Sequence, residues 1–507
     1  MTYSPSSELP GKPLSPWLDG PPDEIRPALD RDIEVDVAVL GAGIVGATVA
    51  YLLAHEGART ALLEARRVGA GVTGNTTAKL SSLHGLTYAG LRGGVGDDAA
   101  RAYGEANEAG IARIAELSAE LAIDCDLRRK PNFTYAESDG ERAEVEDEVE
   151  AATALGLPAS YTQETELPFD VAAAVRFEDQ AEFHPFRYVA GLVEAAERGG
   201  CLIYEGTRAV GVGSDGGGAR VRTTLGPSVR AERVVVATHI PFLDRGLFFA
   251  RTHPERSYAI SVQAANAELE GMYINAGSPA RSLRSHPVED GERLIVAGDS
   301  HRVGEGDEVE HYRNLVDFAR THFGAGEVIH RWSAQDNMPE DGLPFVGGLT
   351  PFSDRVLVVT GLRKWGLAMG TSAAGMVADQ ALGREPASKQ HFRPERFHPM
   401  SATKELASQL AHTGKGVVAD RVTRRESADG IEPGEGRVVG DGIGQRAVYR
   451  DDQGAVHELS ARCTHLGCIV KWNRAEGTWD CACHGSRFGA RGEVIQGPAT
   501  APLERHE

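Results

Sequence analysis

From Val35 to about Leu382, runs of β-branched and aliphatic residues alternate with alanine-rich stretches whose apolar positions recur at helical spacing. Strand and helix in turn predict an α/β domain. Its opening, "VDVAVLGAGIVGATVAYLLAHEGARTALLEA", reads as a strand, a glycine-rich turn, a helix and a second strand ending at Glu64. Val35 to Ala54 is apolar enough to imitate a membrane span, but Gly41, Gly43, Gly46 and Gly57 punctuate or close it, so no span is predicted. Residues 1–34 are rich in Pro, Ser and Asp with little periodicity, which predicts a tail lying on a surface or loosely ordered. Residues 384–425 carry prolines and one short helix candidate, with Leu406 and Leu410 at helical spacing, and read as a linker. From 426 to 507 short strands are separated by "PGEG", "GDGIG" and "DDQG", which predicts a small all-β domain.

A chain of 507 residues is too long for one ordinary core, which agrees with several domains. Its net charge of −20 leaves no basic stripe for nucleic acid and no attraction to an anionic membrane. The stretch "MTYSPSSELPGKPLSPWLDGPPDE" has no basic region followed by an apolar run, so no secretory signal is expected and a cytoplasmic location is. Cys125 and Cys201 stand alone and are expected to be buried structural thiols.

The other four of the six cysteines fall in "ARCTHLGCIVKWNRAEGTWDCACHGSRF", residues 461–488. Cys463 and His465 form C-x-H, and Cys481 and His484 form C-x-x-H, so each half supplies one thiolate and one imidazole. A zinc finger of the ordinary sort segregates cysteines and histidines into separate halves, which makes a structural zinc knot the weaker alternative. The two boxes, C-T-H-L-G-C and C-x-C-H-G-S, resemble those of the Rieske [2Fe–2S] proteins. That resemblance implies that Cys463 and Cys481 bind one iron, that His465 and His484 bind the other, and that Cys468 pairs with Cys483 in a disulfide. It also matches Gly497, Pro498 and Ala499 to the proline loop over the cluster. Replacing two thiolates by neutral imidazoles makes such a cluster easier to reduce, with potentials of roughly −150 to +300 mV. High-potential members carry a serine and a tyrosine that donate towards sulfur; here Ser486 is kept but Phe488 stands at the tyrosine's place, so a value below the top of that range is expected.

In the large domain, Gly41-x-Gly43-x-x-Gly46 after a strand suits a pyrophosphate at a helix N-terminus, and Glu64 suits a ribose hydroxyl. Three later segments join it: "GVTGNTTAKLSSLHG" (71–85), "RVVVATHI" (233–240) and "RVLVVTGLRKWGLAMGTSAAGMVADQAL" (355–382). Together they resemble the D-amino-acid, glycine and sarcosine oxidase superfamily of FAD enzymes, the DAO family, over most of residues 35–383. The resemblance implies a Rossmann-like α/β FAD-binding domain with an inserted α+β substrate domain. It implies FAD contacts from Thr77 and Lys79 in the early segment and from Gly361, Gly366 and Thr371 at the late turn and helix. No second Gly-x-Gly-x-x-Gly unit has strand and helix around it, which counts against a stable NAD(P)H site.

Hydride transfer to a flavin asks the protein mainly to align the donor and exclude water, so few residues are obligatory. Catalytic candidates follow from where the resemblance puts the flavin ring. Lys364 could bind a carboxylate or raise the flavin's electron affinity, or be a solvated lysine. His84 could serve as a base or be a hydrogen-bonded structural histidine; Trp365, Arg363 and Ser81 stand nearby. Tyr258, in "HPERSYAISVQ", and Arg284, in "RSLRSH", could line the substrate pocket, with packing or surface charge as the alternative. The function expected is a dehydrogenase that oxidises a small amine or amino acid, passing electrons from FAD through the [2Fe–2S] cluster to an external acceptor. The alternatives are a reductase with the flow reversed and a non-catalytic redox carrier or sensor.

Overall fold

The first strand, Ile33–Leu40, turns through Gly41 into the helix Ile44–His55 and returns as the strand Thr60–Leu63. These are part of a computed structural model that describes residues 8–20, 25–386, 389–396, 428, 430–440 and 444–506. Most of the predicted linker, with its helix candidate at Leu406 and Leu410, lies outside the described residues.

Around that unit a parallel sheet runs in the order Leu202–Tyr204, Thr60–Leu63, Ile33–Leu40, Ser228–Val236, Val356–Thr360. Its strands are continuous aliphatic runs because both faces are covered, as parallel sheets require. The helix Ile44–His55 is buried on nearly every side, between the helices Pro185–Arg198 and Ala368–Ala381. Small side chains, Ala47, Ala50 and Gly370 among them, let these helices approach closely.

A second, eight-stranded sheet is assembled from two separate stretches of chain, 132–177 and 252–339. Val328–Pro339 and Thr252–Val262 are paired antiparallel at the edge nearest the parallel sheet's cavity. The helix Glu308–Phe323 lays Val309, Leu315, Val316 and Phe323 on this sheet. Asp307 caps its first turn by accepting from Val309 N, and Gly324 ends it in a left-handed conformation. This is the α+β domain inserted in the α/β frame.

The C-terminal residues form two antiparallel sheets around buried Trp479 and Phe488. One holds Gly436–Val439, Arg446–Arg450 and Val456–Ser460; the other holds Lys471–Asn473, Thr478–Asp480, Arg487–Gly489 and Val494–Gln496. Among the described residues no helix is long and apolar enough to cross a membrane.

One feature departs from the sequence expectation, and a second concerns a point on which the sequence is silent. Residues 8–20 are not a peripheral tail but a strap seated in the molecule. Ser15 donates to Gly74 O, Trp17 Nε1 donates to Thr76 O at 2.7 Å, and Lys12 exchanges backbone hydrogen bonds with Ile329 and Arg331. The Trp17 ring is 5% exposed, set edge-on to His184 and His286. A single tryptophan filling a hole built by distant strands has no periodicity to announce it.

The second is that the small domain is locked to the large one through buried charge. Arg256, 1% exposed, binds Asp480 of the small domain and donates to Gln335 Oε1 at 2.9 Å. Asp480 also accepts from Asn473, Thr478 and Arg487. Burial opposes its ionisation, but Arg256 and Arg487 outweigh this and hold its carboxyl well below the usual range.

Candidate functional site

A cavity of about 480 Å³ begins where the first strand ends and continues between the two large sheets. Gly41 opens it at φ +96°; a Cβ there would stand 2.6 Å from Ala237 O, so only glycine lets the two strands' ends meet. Thr73 Oγ1 accepts from Ile44 N at 3.0 Å, in the first turn of the helix. Glu64 accepts from Ala42 N and from Arg66 N, both at 2.8 Å, and each carboxylate oxygen keeps a second lone pair.

Of the residues predicted to hold the cofactor, Gly41, Gly43, Glu64 and Gly366 line this cavity. Gly46 sits behind the wall, where a Cβ would overlap the Gly41 carbonyl oxygen. Gly361 takes φ +71° in the turn before the late helix. Three others serve packing instead. Thr371 spends its hydroxyl on Leu367 O inside that helix, and Thr77 offers its carbonyl to Arg284. Lys79 is buried with Nζ on Tyr273 O at 2.7 Å, and burial lowers its pKa to about 7. Thr76, Thr73 and Asn75, their neighbours in the same segment, line the cavity in their place.

The catalytic candidates separate into two groups. His84 stacks on Trp365 at 4.5 Å between centroids, and Lys79 Nζ lies 5.9 Å from the same indole. His84 Nδ1 pairs with Tyr103 OH at 2.8 Å and Nε2 with Ser81 O at 2.7 Å. The Ser81 carbonyl only accepts, which assigns the ring proton to Nε2 and leaves neither nitrogen for a substrate proton. Burial lowers the His84 pKa to about 3, so His84 is a structural, neutral imidazole here. Lys364 instead lines the cavity and pairs with Glu255 at 3.0 Å. Burial would raise the Glu255 pKa, but His253 and Lys364 bring it down to about 2.

Beside that pair stands Asp336, a cavity-lining carboxyl that sequence reasoning missed. Burial raises its pKa to about 7, with Lys364 partly opposing. The strand, "VIHRWSAQDNMP", mixes polar and apolar residues, so its burial gave no signal in the sequence. Arg363, at φ +57°, holds a left-handed conformation rare outside glycine in the turn that presents Lys364. Tyr258 and Arg284 take the alternatives to a pocket role: Tyr258 stacks on His301 and His311, and Arg284 donates to the Thr77 and Ala78 carbonyls.

In the small domain, Cys468 and Cys483 form a disulfide, while Cys463 and Cys481 remain free and buried. A hydrogen bond from the Cys481 thiol draws the Cys463 pKa below its usual range. Sulfur atoms of Cys468, Cys481 and Cys483 lie within 4.8 Å of one another, but the disulfide removes two of them as donors. The His465 and His484 rings meet edge to face at 5.0 Å. His465 Nδ1 is buried without a partner among the described residues, and its Nε2 reaches Asp244 of the large domain at 3.0 Å. Two free thiols, two imidazoles and an unpaired ring nitrogen fit a mixed sulfur and nitrogen iron site. Phe249 lies 5.4 Å from His465 and 5.1 Å from His484, ring to ring. Asp244, Phe249 and Gln335, which donates to Gly485 O at 2.8 Å, are contacts no motif could disclose.

The family described as DAO, FAD dependent oxidoreductase, matches residues 36–380, and the Rieske [2Fe-2S] domain matches residues 425–507. Over 483 residues the chain is 35% identical to YhfW of Bacillus subtilis (strain 168), described as a Rieske 2Fe-2S iron-sulfur protein, covering 94% of each chain. It is 48% identical over 137 residues to the cytochrome b6-f complex iron-sulfur subunit of Synechococcus sp. (strain JA-3-3Ab), covering 27% of this chain and 59% of that protein. The solved glycine oxidase from Geobacillus kaustophilus superposes with a TM-score of 0.59 at 22% identity, covering 70% of this chain and 96% of that one. L-amino acid deaminase from Proteus vulgaris gives a TM-score of 0.60 at 17% identity, covering 75% and 100%. At these identities the likeness is one of fold. The chain belongs to the DAO family of FAD-dependent oxidoreductases and carries a Rieske domain, and hence two cofactors, FAD and a [2Fe–2S] cluster.

Proposed function

We propose that the chain is a dehydrogenase that oxidises a small amine or amino acid and delivers the electrons to an external acceptor through the Rieske domain. In this reading Cys463, Cys481, His465 and His484 hold the cluster. FAD, when bound, supplies a two-electron acceptor, and a [2Fe–2S] cluster supplies a one-electron outlet. The observation that carries the proposal is the position of Gln335, which lines the cavity and also bonds Gly485, the residue after His484. One side chain spans the distance between the two sites.

Amine oxidation releases a proton as well as a hydride, and Asp336 is suited to take it because its pKa of about 7 leaves it poised near neutrality. Lys364, held by Glu255, offers positive charge for a substrate carboxylate. Trp332, Leu362 and Leu367 line the cavity with apolar surface.

Anaerobic titration with amines, amino acids and NAD(P)H tests the proposal. An amine or amino acid is expected to bleach the flavin, followed by the anisotropic paramagnetic signal of a reduced cluster. Bleaching by NAD(P)H alone, or by no donor, sinks it. The bleaching rate should climb through a pH of about 7, and Asp336→Asn should remove that limb and slow the step about 10²-fold or more. Stability moves in the opposite sense. The folded chain retains a proton at Asp336 that the unfolded chain releases between 3.8 and about 7, so this carboxyl's contribution declines as pH rises across that window.

Asp244→Asn is expected to raise the cluster's midpoint potential, because a carboxylate on His465 opposes the negative charge added on reduction. Asp244 is half exposed, so solvent screens the effect to a few tens of millivolts. A redox titration that finds no upward shift contradicts it.

A further inference from the structure

The cavity is not walled by the large domain alone. Arg208 stands at its Glu64 end, since the neighbouring Thr207 N donates to Glu64 O, and its guanidinium donates to Val494 O of the small domain at 2.8 Å. From there Ile495, Gln496, Gly497, Ala499 and Thr500 line the same cavity. Gln496 Nε2 is buried and has no acceptor among the described residues. An amide donor in that state carries a desolvation penalty unless a ligand completes it. The small domain also reaches this cavity on a fixed footing, through the buried Arg256 and Asp480 pair and the bond from Gln335 to Gly485.

We propose that residues 494–500 of the Rieske domain are a wall of the FAD site at its adenosine end, with Gln496 donating to an acceptor of the adenosine or its phosphate. Cofactor binding and domain docking are then one linked equilibrium: FAD favours the docked state, and docking raises FAD affinity by the same factor. The arrangement rests on FAD occupying the cavity and is independent of which substrate is oxidised and which way electrons flow. It also assigns the proline-loop segment a second task, since Gly497 and Ala499 border the cavity while Ala499 N donates to Ser486 of the cluster loop at 3.1 Å.

The test uses the full chain with its cluster in place, stripped of FAD and titrated with FAD while flavin fluorescence is followed. Gln496→Ala should weaken binding about fivefold to tenfold, as loss of one hydrogen bond does. Ile495→Trp, which fills the cavity end with a large side chain, should weaken it more than tenfold. Iron content and the cluster's visible absorption should stay at wild-type values in both. In the unmutated protein, added FAD should slow amide hydrogen exchange across residues 494–500. Wild-type affinity in both variants overturns the proposal, as does exchange in that segment that ignores FAD. The exchange measurement decides the matter if a variant fails to fold. Should no amine or amino acid reduce the flavin, the functional proposal falls while this one is judged on binding alone.

Discussion

Arg256→Met is expected to destabilise the protein by about 3 kcal/mol and to split its unfolding into two transitions. The guanidinium is 1% exposed and binds Asp480 of one domain and Gln335 of the other. Removing one member of a buried ion pair costs about 3–5 kcal/mol because the remaining charge stays desolvated. The lower figure applies because Asp480 keeps Arg487, Asn473 and Thr478. The pair's contribution is complete above the usual carboxylate range and lost as pH falls through the depressed pKa of Asp480. Asp480→Asn should also be damaging, since it leaves Arg256 and Arg487 to share Glu476 as their carboxylate. Urea unfolding followed by flavin fluorescence and by cluster absorption should give one midpoint in the wild type and two in the variant. Coincident, unshifted midpoints in Arg256→Met contradict the lock.

Gly46→Ala is expected to abolish stoichiometric FAD. Its added methyl would overlap the carbonyl oxygen of Gly41, and Gly41 has little room to retreat because even a Cβ on it would stand 2.6 Å from Ala237 O. The helix Ile44–His55 must therefore move off the turn, taking with it the N-terminus that faces the cavity. Overpacking of this kind costs about 1–3 kcal/mol in stability, and the displaced backbone loses the cofactor as well. Gly43→Ala acts differently, since within the protein its Cβ would meet only Thr73 Oγ1, at 3.1 Å, and its methyl would instead project into the cavity that Gly43 lines. The ratio of flavin to protein absorbance after gel filtration measures the loss in Gly46→Ala. Full flavin content in Gly46→Ala removes the steric argument.

These outcomes mark what was legible in the chain. The glycine turn, Glu64 and the paired cysteine and histidine boxes could be read because their chemistry is local: the residues that act together are close in sequence. The α/β alternation was legible for the same reason. Gln335 and Asp244 were not, because each gains its role from a partner more than a hundred residues away, nor was Asp336, whose shifted titration comes from burial that no local pattern announces. His84 shows the converse. It lies where the resemblance puts the flavin, yet Tyr103, on the helix Asp97–Glu120, and Ser81 occupy both its nitrogens. Thr371 likewise falls in the right helix but points its hydroxyl back along it. Proximity to a cofactor segment could be predicted; the direction of a side chain could not.

The strap at residues 8–20 and the segment 494–500 touch the same cavity from opposite extremes of the sequence. Translation delivers the first before the strands it leans on, Val328–Pro339 among them, and delivers the second after the whole flavin-binding frame. A nascent polypeptide that has reached residue 383 therefore presents the nucleotide with a crevice that lacks one part of its wall, which the last-made residues add. Expression in flavin-starved cells followed by later supplementation should consequently yield poorer incorporation than growth with the vitamin present throughout.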